Sequence, residues 1–589
     1  MLARLAAVAG VDFKLALAEQ LTQQNALQLA DAWHELETQQ VLVGDEFAHD
    51  LIFEAVLAGV PAVIARHLHA KLAEHLTATQ GEPARVAAHW EAAGQRERAL
   101  PSLRLAAERA HAALREHERI DFLLRAADIA QVSGDTDAAF DSVARAIDSH
   151  MNTIRQASGY PLLDRLDALA HSPAQRAQAM GRRAWYCIQI ADEEGALRYG
   201  QEALVLASAL GDAALTAVIR QRLATALAQA GRFDEALAHF EALLPEVDQL
   251  LGSEQGAEFH GNFAAVLDNL GQPEKAATHR RISIEAARLT GDPAQQVSQL
   301  ANHAVSRLNV GDAAQAHAAL VQARQVIAAY EMQGSTVGFV AVLRMQCARA
   351  MGAYGEALAA ADEAYAELTK SNPARLPVVQ MHLAHCWLDL GQHARASQAL
   401  AAAVAPGPLA PHFAARHAVL AVKLARRLGQ DTGVLLAQAR TQVPSHGWPE
   451  IAFIVDTEAA LDMPLAQALA QLESVQAHAL RFGLRGSVLA ALVRRAQLLA
   501  AAAEPRGAVA AREALALAEH VAPTLMYSGE VWLHAAHALR VAGASARADM
   551  ALASARQWLA ARCEHDVPAD FRESFLQRNP VNLTLLHGG

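Results

Sequence analysis

A glycine followed five positions later by an alanine recurs along most of this chain at a nearly fixed interval. The pairs are Gly94/Ala99, Gly134/Ala139, Gly231/Ala236, Gly271/Ala276, Gly311/Ala316, Gly352/Ala357, Gly391/Ala396 and Gly543/Ala548. From Gly231 to Gly391 the steps are 40, 40, 41 and 39 residues, and Gly94 to Gly134 is again 40. Between Gly134 and Gly231 lies a degenerate copy, Ala191/Ala196, with about 17 extra residues around GYPLLDRL. The 152 residues from Gly391 to Gly543 fit four units of 38, with Gly429 at the first internal turn. A fixed period of this length predicts a repeat array. The glycine allows a tight reversal after one helix, and the alanine lets the next helix approach closely. A second small residue seven further on (Ala106, Ala146, Ala323, Ala364, Ala403, Ala555) extends the thin face of that helix.

Composition agrees with an all-α chain. Of 589 residues 53% are apolar and only 5% aromatic, the excess being alanine, a helix former. That apolar content excludes intrinsic disorder. With 50 basic and 62 acidic residues the net charge is −12, which argues against a nucleic-acid or anionic-membrane binder. No apolar run reaches the length of a membrane span. Cys187, Cys347, Cys386 and Cys563 show no CxxC spacing and read as reduced thiols. Arg4 with the apolar stretch after it imitates a signal peptide, but Asp12 and Lys14 interrupt it; a cytoplasmic address is expected.

AGRFDEALAHF, with Phe233 and Phe240, resembles the centre of a tetratricopeptide repeat, as does MGAYGEALAAADEA with Tyr354. A period of 40 also falls in the HEAT and armadillo range, whose repeats lack the Gly-x4-Ala turn. The expected fold is a right-handed tetratricopeptide-like solenoid of about 40-residue helix-turn-helix units. First repeats are expected over 81–150, an insertion over 151–180, repeats over 181–400, degenerate repeats over 401–560 and a tail over 561–589. Residues 1–80 read differently. Helices over Phe13–Gln23 and Ala26–Gln39 lead to a hairpin around Gly44-Asp45, then to a helix through Val56 and another from Pro61 to about Leu76. That order predicts a small winged-helix-like domain.

FAHDLIFEAVLAGVP, RHLHAKLAEHL, PARVAAHWEAAGQRERALPSLRLAAERA and the tail FRESFLQRNPVNLTLL together resemble the middle and C-terminal parts of STAND-type regulatory ATPases. The likeness is to bacterial transcriptional regulators of the SARP kind. It implies a sensor and scaffold portion that binds a protein, a peptide or a small inducer, with an ATPase and output domain supplied in trans. It also implies that His49 contacts the β-phosphate of a bound nucleotide and that Asp50 holds the local turn; capping or hydrogen bonding alone is the other reading of the pair. No GxxxxGK[ST] occurs and no lysine follows a glycine, so the chain is expected neither to hydrolyse nucleotide nor to bind it tightly alone. A stand-alone adaptor for protein–protein interaction is the alternative.

Among first helices, Asn262 and Asn269 share a face and recur as Asn302 and Asn309, with Arg222 and Gln229 one unit earlier and His382 and Asp389 later. These eight residues are the candidate ligand-binding groove; repeat packing is the competing explanation. Histidine pairs (His382/His385, His534/His537) and the His67/His69/His75 cluster lack HExxH or CxxC support, so no metal, cofactor or catalytic residue is assigned. Arg426-Arg427 and Arg494-Arg495 are expected on solvated helix faces.

Overall fold

Among the described residues the chain is all-α apart from one two-stranded hairpin. The computed structural model describes every residue except Leu114, 154–158, Ala191, 444–447, Leu525 and 588–589, and all side chains of those except at 152, 153, 253, 254 and 411. Packing divides it into two compact units, Met1–Thr153 with Ser158–Gln175, and Arg176 onward. No single helix among the described residues is long and apolar enough to cross a membrane.

The first unit opens with the helix Leu2–Ala9, which the sequence analysis did not anticipate; Leu2, Leu5, Ala6 and Val8 of that helix are core residues. Helices Leu15–Thr22 and Ala26–Thr38 follow, the second started by a capping box between Asn25 and Gln28. The hairpin pairs Leu42 with Phe47 and Val43 with Glu46. Its Gly44 has φ +66°, the left-handed value that a two-residue turn requires. Phe13 stacks on Trp33 at 5.2 Å, and Trp33 Nε1 donates to the Gly44 carbonyl (3.1 Å), which ties the hairpin to the core. Helices Asp50–Ala58 and Ala62–Ala78 precede two helix pairs, Pro83–Ala92 with Leu100–Ala112 and Glu116–Val132 with Thr136–Thr153. Tyr160–Leu169, a further helix, lies within the expected insertion, of which residues 154–158 are outside the described set.

The second unit is a run of helix pairs, from Pro173–Gln189 with Glu193–Leu210 to Ser528–Val541 with Ser545–His565. Every glycine of the Gly-x4-Ala motif has a positive φ, between 70° and 82°. Every alanine five residues later is fully buried, Ala196 of the degenerate copy nearly so; Ala191 is outside the described residues. Four helix pairs fill Gly391 to Gly543, and Ala503 takes the left-handed position (φ +57°) where one copy lacks glycine.

Half of these turns have a second role. Ala522 N donates to Gly311 O (2.8 Å), Gly355 N to Asp566 O (2.7 Å) and Arg562 Nη1 to Met351 O (3.3 Å), each pair 211 residues apart. Phe482 likewise lies against Gly271, and Ser574 against Gly391. The array therefore comes back on itself after about five repeats, loops of the later repeats seating on turns of the earlier ones. A Cβ at Gly311 would lie 2.6 Å from Val521 Cγ1, and one at Gly391 2.5 Å from Ser574 O. At Gly543, with φ +76°, nothing lies within 4 Å.

This difference yields a paired test. Gly543→Ala should cost only the left-handed strain, about 1–2 kcal/mol. Gly311→Ala should cost about 1–3 kcal/mol more through overpacking. Urea denaturation followed by circular dichroism checks this, and equal losses for the two variants would show that the 211-residue contacts do not stabilise the unit.

Candidate functional site

Within the second unit a cavity of about 270 Å³ opens between the first helices of successive pairs and the C-terminal tail. Its charged wall is built by the repeat itself. Lys423, Glu458, Arg494 and Glu530 follow one another every 35 or 36 residues, on helices Pro411–Arg427, Pro449–Ala459, Arg485–Ala501 and Ser528–Val541. Equivalent positions on stacked helices are neighbours, about 8–10 Å apart between axes, so long side chains meet across them. Alternating sign makes each neighbour a partner. Lys423 Nζ lies 3.6 Å from Glu458, Arg494 Nη2 3.2 Å from Glu458, and Arg494 Nη1 2.7 Å from Glu530. Arg427 Nη2 adds a 3.1 Å contact to Glu530, and Arg426 bonds Asp462 (3.0 Å) and the Glu458 carbonyl (2.9 Å).

Asp389, Leu388 and His385 close one side. Asp389 pairs with Arg349 (3.0 Å) and accepts from the Tyr354 hydroxyl (3.4 Å), while Arg349 also donates to the Thr524 carbonyl. Burial raises the Asp389 pKa by more than Arg349 lowers it. The other side is the tail, where Pro580 and Val581 line the cavity. Three buried polar residues hold the tail there. Asn579 Nδ2 donates to the Asp389 carbonyl (2.8 Å), Ser574 Oγ to the Leu390 carbonyl (2.8 Å), and the Tyr527 hydroxyl to Asn582 Oδ1 (2.6 Å).

Arg494 is 6% exposed. The expectation of solvated faces at Arg426-Arg427 and Arg494-Arg495 is therefore corrected: Arg426, Arg427 and Arg494 face the cavity, because stacking turns that helix face inward. Arg495 alone points to surface partners, Gln476 and Glu473. The sequence carries the signal as a charge of alternating sign at the repeat period, at Lys423, Glu458, Arg494 and Glu530.

The predicted groove is brought together only in part. Among the described residues, Asp389 is the one member of the eight that lines the cavity. Asn262 Nδ2 donates to Thr225 Oγ1 of the preceding first helix (3.1 Å), and Asn269 Nδ2 bonds back to the Ala265 carbonyl of its own helix (2.9 Å). One N–H of each amide is thus already used inside the protein. Arg222, Asn302 and Asn309 are half-buried and Gln229 is exposed. His382 accepts from Gln346 Nε2 (2.7 Å), burial holding its pKa down at about 3. In the first unit His49 and Asp50 are exposed at the start of helix Asp50–Ala58. His49 occupies the N-cap position without a side-chain cap bond. No group of three or more His, Cys, Asp or Glu among the described residues is placed to hold a metal ion.

No protein-family model and no curated protein matches the sequence. Among solved structures, a Rap protein complexed with competence and sporulation factor is 14% identical with a TM-score of 0.42, covering 58% of this chain and 99% of its own. A tetratricopeptide repeat protein from Parabacteroides merdae is 14% identical (TM-score 0.31; 46% and 94% covered). A signal transduction ATPase with numerous domains and a tetratricopeptide repeat sensor, from Pyrococcus horikoshii, is 12% identical (TM-score 0.32; 89% and 65% covered).

The buried site makes the fold acid-labile in a defined window. Burial, then Arg494, holds the His534 pKa at about 3. Burial raises that of Glu530, but Arg494 and Arg427 outweigh it and draw it to about 2. An unfolded histidine takes up its proton near pH 6.5, which His534 refuses until about 3, so stability falls as pH drops through that interval. Glu530 adds a loss only below its ordinary value of 4.5. The urea midpoint should begin to fall near pH 6.5, and His534→Gln should reduce the slope between 6.5 and 4.5. A midpoint flat down to pH 4.5 in the wild type would contradict this assignment.

Proposed function

We propose that the chain is the sensor and scaffold portion of a signalling or transcriptional regulator, with no catalytic role of its own. Its helical repeats present a surface to a protein, peptide or small inducer. The N-terminal helices and hairpin serve as a winged-helix-like adaptor toward an ATPase and output domain in trans. The observation that carries this reading over a stand-alone adaptor lies in the first unit. Helix Asp50–Ala58 has no buried residue although seven of its nine side chains are apolar, alanine included among them with leucine, isoleucine, phenylalanine and valine. Leu51 is 70% exposed and Val63, at the start of the next helix, 68%, with Ile64 beside it also exposed. Large apolar side chains left exposed on two consecutive helices suit a protein contact. His49 and Asp50 are exposed at the start of the same helix, which supports the reading that a partner covering it meets them.

Affinity capture from the native host tests the reading. The wild-type chain should retain a P-loop ATPase, and Leu51→Glu/Val63→Glu should lose it while keeping its helix content, because both positions are exposed. Recovery of partners without any P-loop protein would favour the adaptor reading instead.

A further inference from the structure

We propose that the cavity of the second unit binds a compact organic carboxylate with an apolar body, a small molecule rather than a peptide. The inference rests on the sensor reading above and names the chemical class of inducer.

The first argument is charge. Four cations line the cavity, Lys423, Arg426, Arg427 and Arg494, against three carboxylates, Asp389, Glu458 and Glu530. The two ion-pair partners outside the lining, Asp462 on Arg426 and Arg349 on Asp389, cancel each other, so the network keeps a formal excess of one positive charge inside a chain whose net charge is −12. A ladder that served packing alone would reach neutrality, since an uncompensated buried charge is costly. One bound carboxylate completes the balance.

The second argument is hydrogen bonding. Arg426 and Arg494 each keep a buried Nε–H without a hydrogen bond among the described residues, that of Arg426 lying 4.0 Å from Glu458 Oε2. Buried donors of this kind are ordinarily paired. A carboxylate, with four lone-pair directions, can accept from guanidinium groups on two helices together.

The third argument is shape and size. Leu388, Leu461, Pro580 and Val581 also line the cavity and give it apolar surface that suits a hydrocarbon or aromatic body. At about 270 Å³ the space lies just below the range of drug-sized pockets and holds a small metabolite, not an extended chain segment. Because Pro580 and Val581 belong to the tail and the cations to helices of the array, a molecule seated there touches both. Its binding would stabilise the docked tail by mass action.

Isothermal titration calorimetry on the full chain tests this with acetate, butyrate, benzoate and phenylacetate, each against its neutral amide. At least one carboxylate should bind saturably with a stoichiometry of one, and its amide at least tenfold more weakly. Lys423→Met, which removes one cation, should weaken that binding tenfold or more. Leu461→Trp, which fills the space and leaves every charge in place, should do the same, so the test survives if Lys423→Met fails to fold. Arg495→Met, outside the cavity, should bind as the wild type does. Absence of saturable binding by all four acids, equal affinity for acid and amide, or unchanged affinity in Leu461→Trp would overturn the proposal. Capture of a P-loop partner is read separately, so failure of the titration alone removes the ligand class and leaves the sensor reading standing.

Discussion

Reversal of the chain at a left-handed residue is the constraint on which the rest of this structure depends. A helix can hand over to its antiparallel partner within two residues only if one residue accepts a positive φ, and glycine does so without strain. Once the turn is that short, the second helix starts pressed against the first, and only a small side chain fits at the crossing. Gly311 with Ala316 and Gly352 with Ala357 are thus two halves of one requirement. The same economy of space lets later loops approach the turn from outside. Val521 packs against Gly311, and the Arg562 and Trp558 side chains pack against Gly352, where any side chain would intrude.

Stacking then dictates the electrostatics. Once first helices align, any residue at a given position faces its counterpart in the next repeat. A charge in that position must find the opposite sign 35 or 36 residues away, or remain uncompensated in a medium of low polarity. Lys423, Glu458, Arg494 and Glu530 satisfy that condition in sequence, and Arg349, Asp389 and Arg427 form a second such series at 38 to 40 residues. Glu530 joins the two series by accepting from both Arg427 and Arg494.

How much of this could be read in the sequence follows from the range of each interaction. The turns were legible because a glycine and an alanine five apart act locally, so their spacing survives in one dimension. The hairpin at Gly44-Asp45 was legible for the same reason. The helix Leu2–Ala9 was not, since its apolar run carries no cap or breaker that separates a core helix from a targeting segment. The asparagine stripe was seen, but its chemistry was open. Only the structure shows Asn262 bonded to Thr225 on the preceding first helix and Asn269 to its own helix. The cavity needed two facts that no single repeat carries. One is the inward orientation of the Arg426 and Arg494 faces. The other is the return of residues 574–582 to the turn at Asp389–Gly391.

That return changes what kind of object the second unit is. A linear solenoid is held by nearest-neighbour contacts, so a disturbance in one repeat decays along the array. Here hydrogen bonds join residues 211 apart, and the tail is bonded to a turn more than 180 residues upstream. Breaking one of the joined repeats therefore releases a partner about five repeats away, and the intervening pairs lose support from two sides. Cooperativity of that origin lets a small event be felt at a distance, because contacts between packed elements are made or lost together and do not deform gradually. The charged cavity lies beside the last of the closing contacts, bounded by Asp389, by the alternating ladder and by the tail. A change of charge there acts on the bonds from Ser574 and Asn579 to Leu390 and Asp389, the link by which the tail is held to the array.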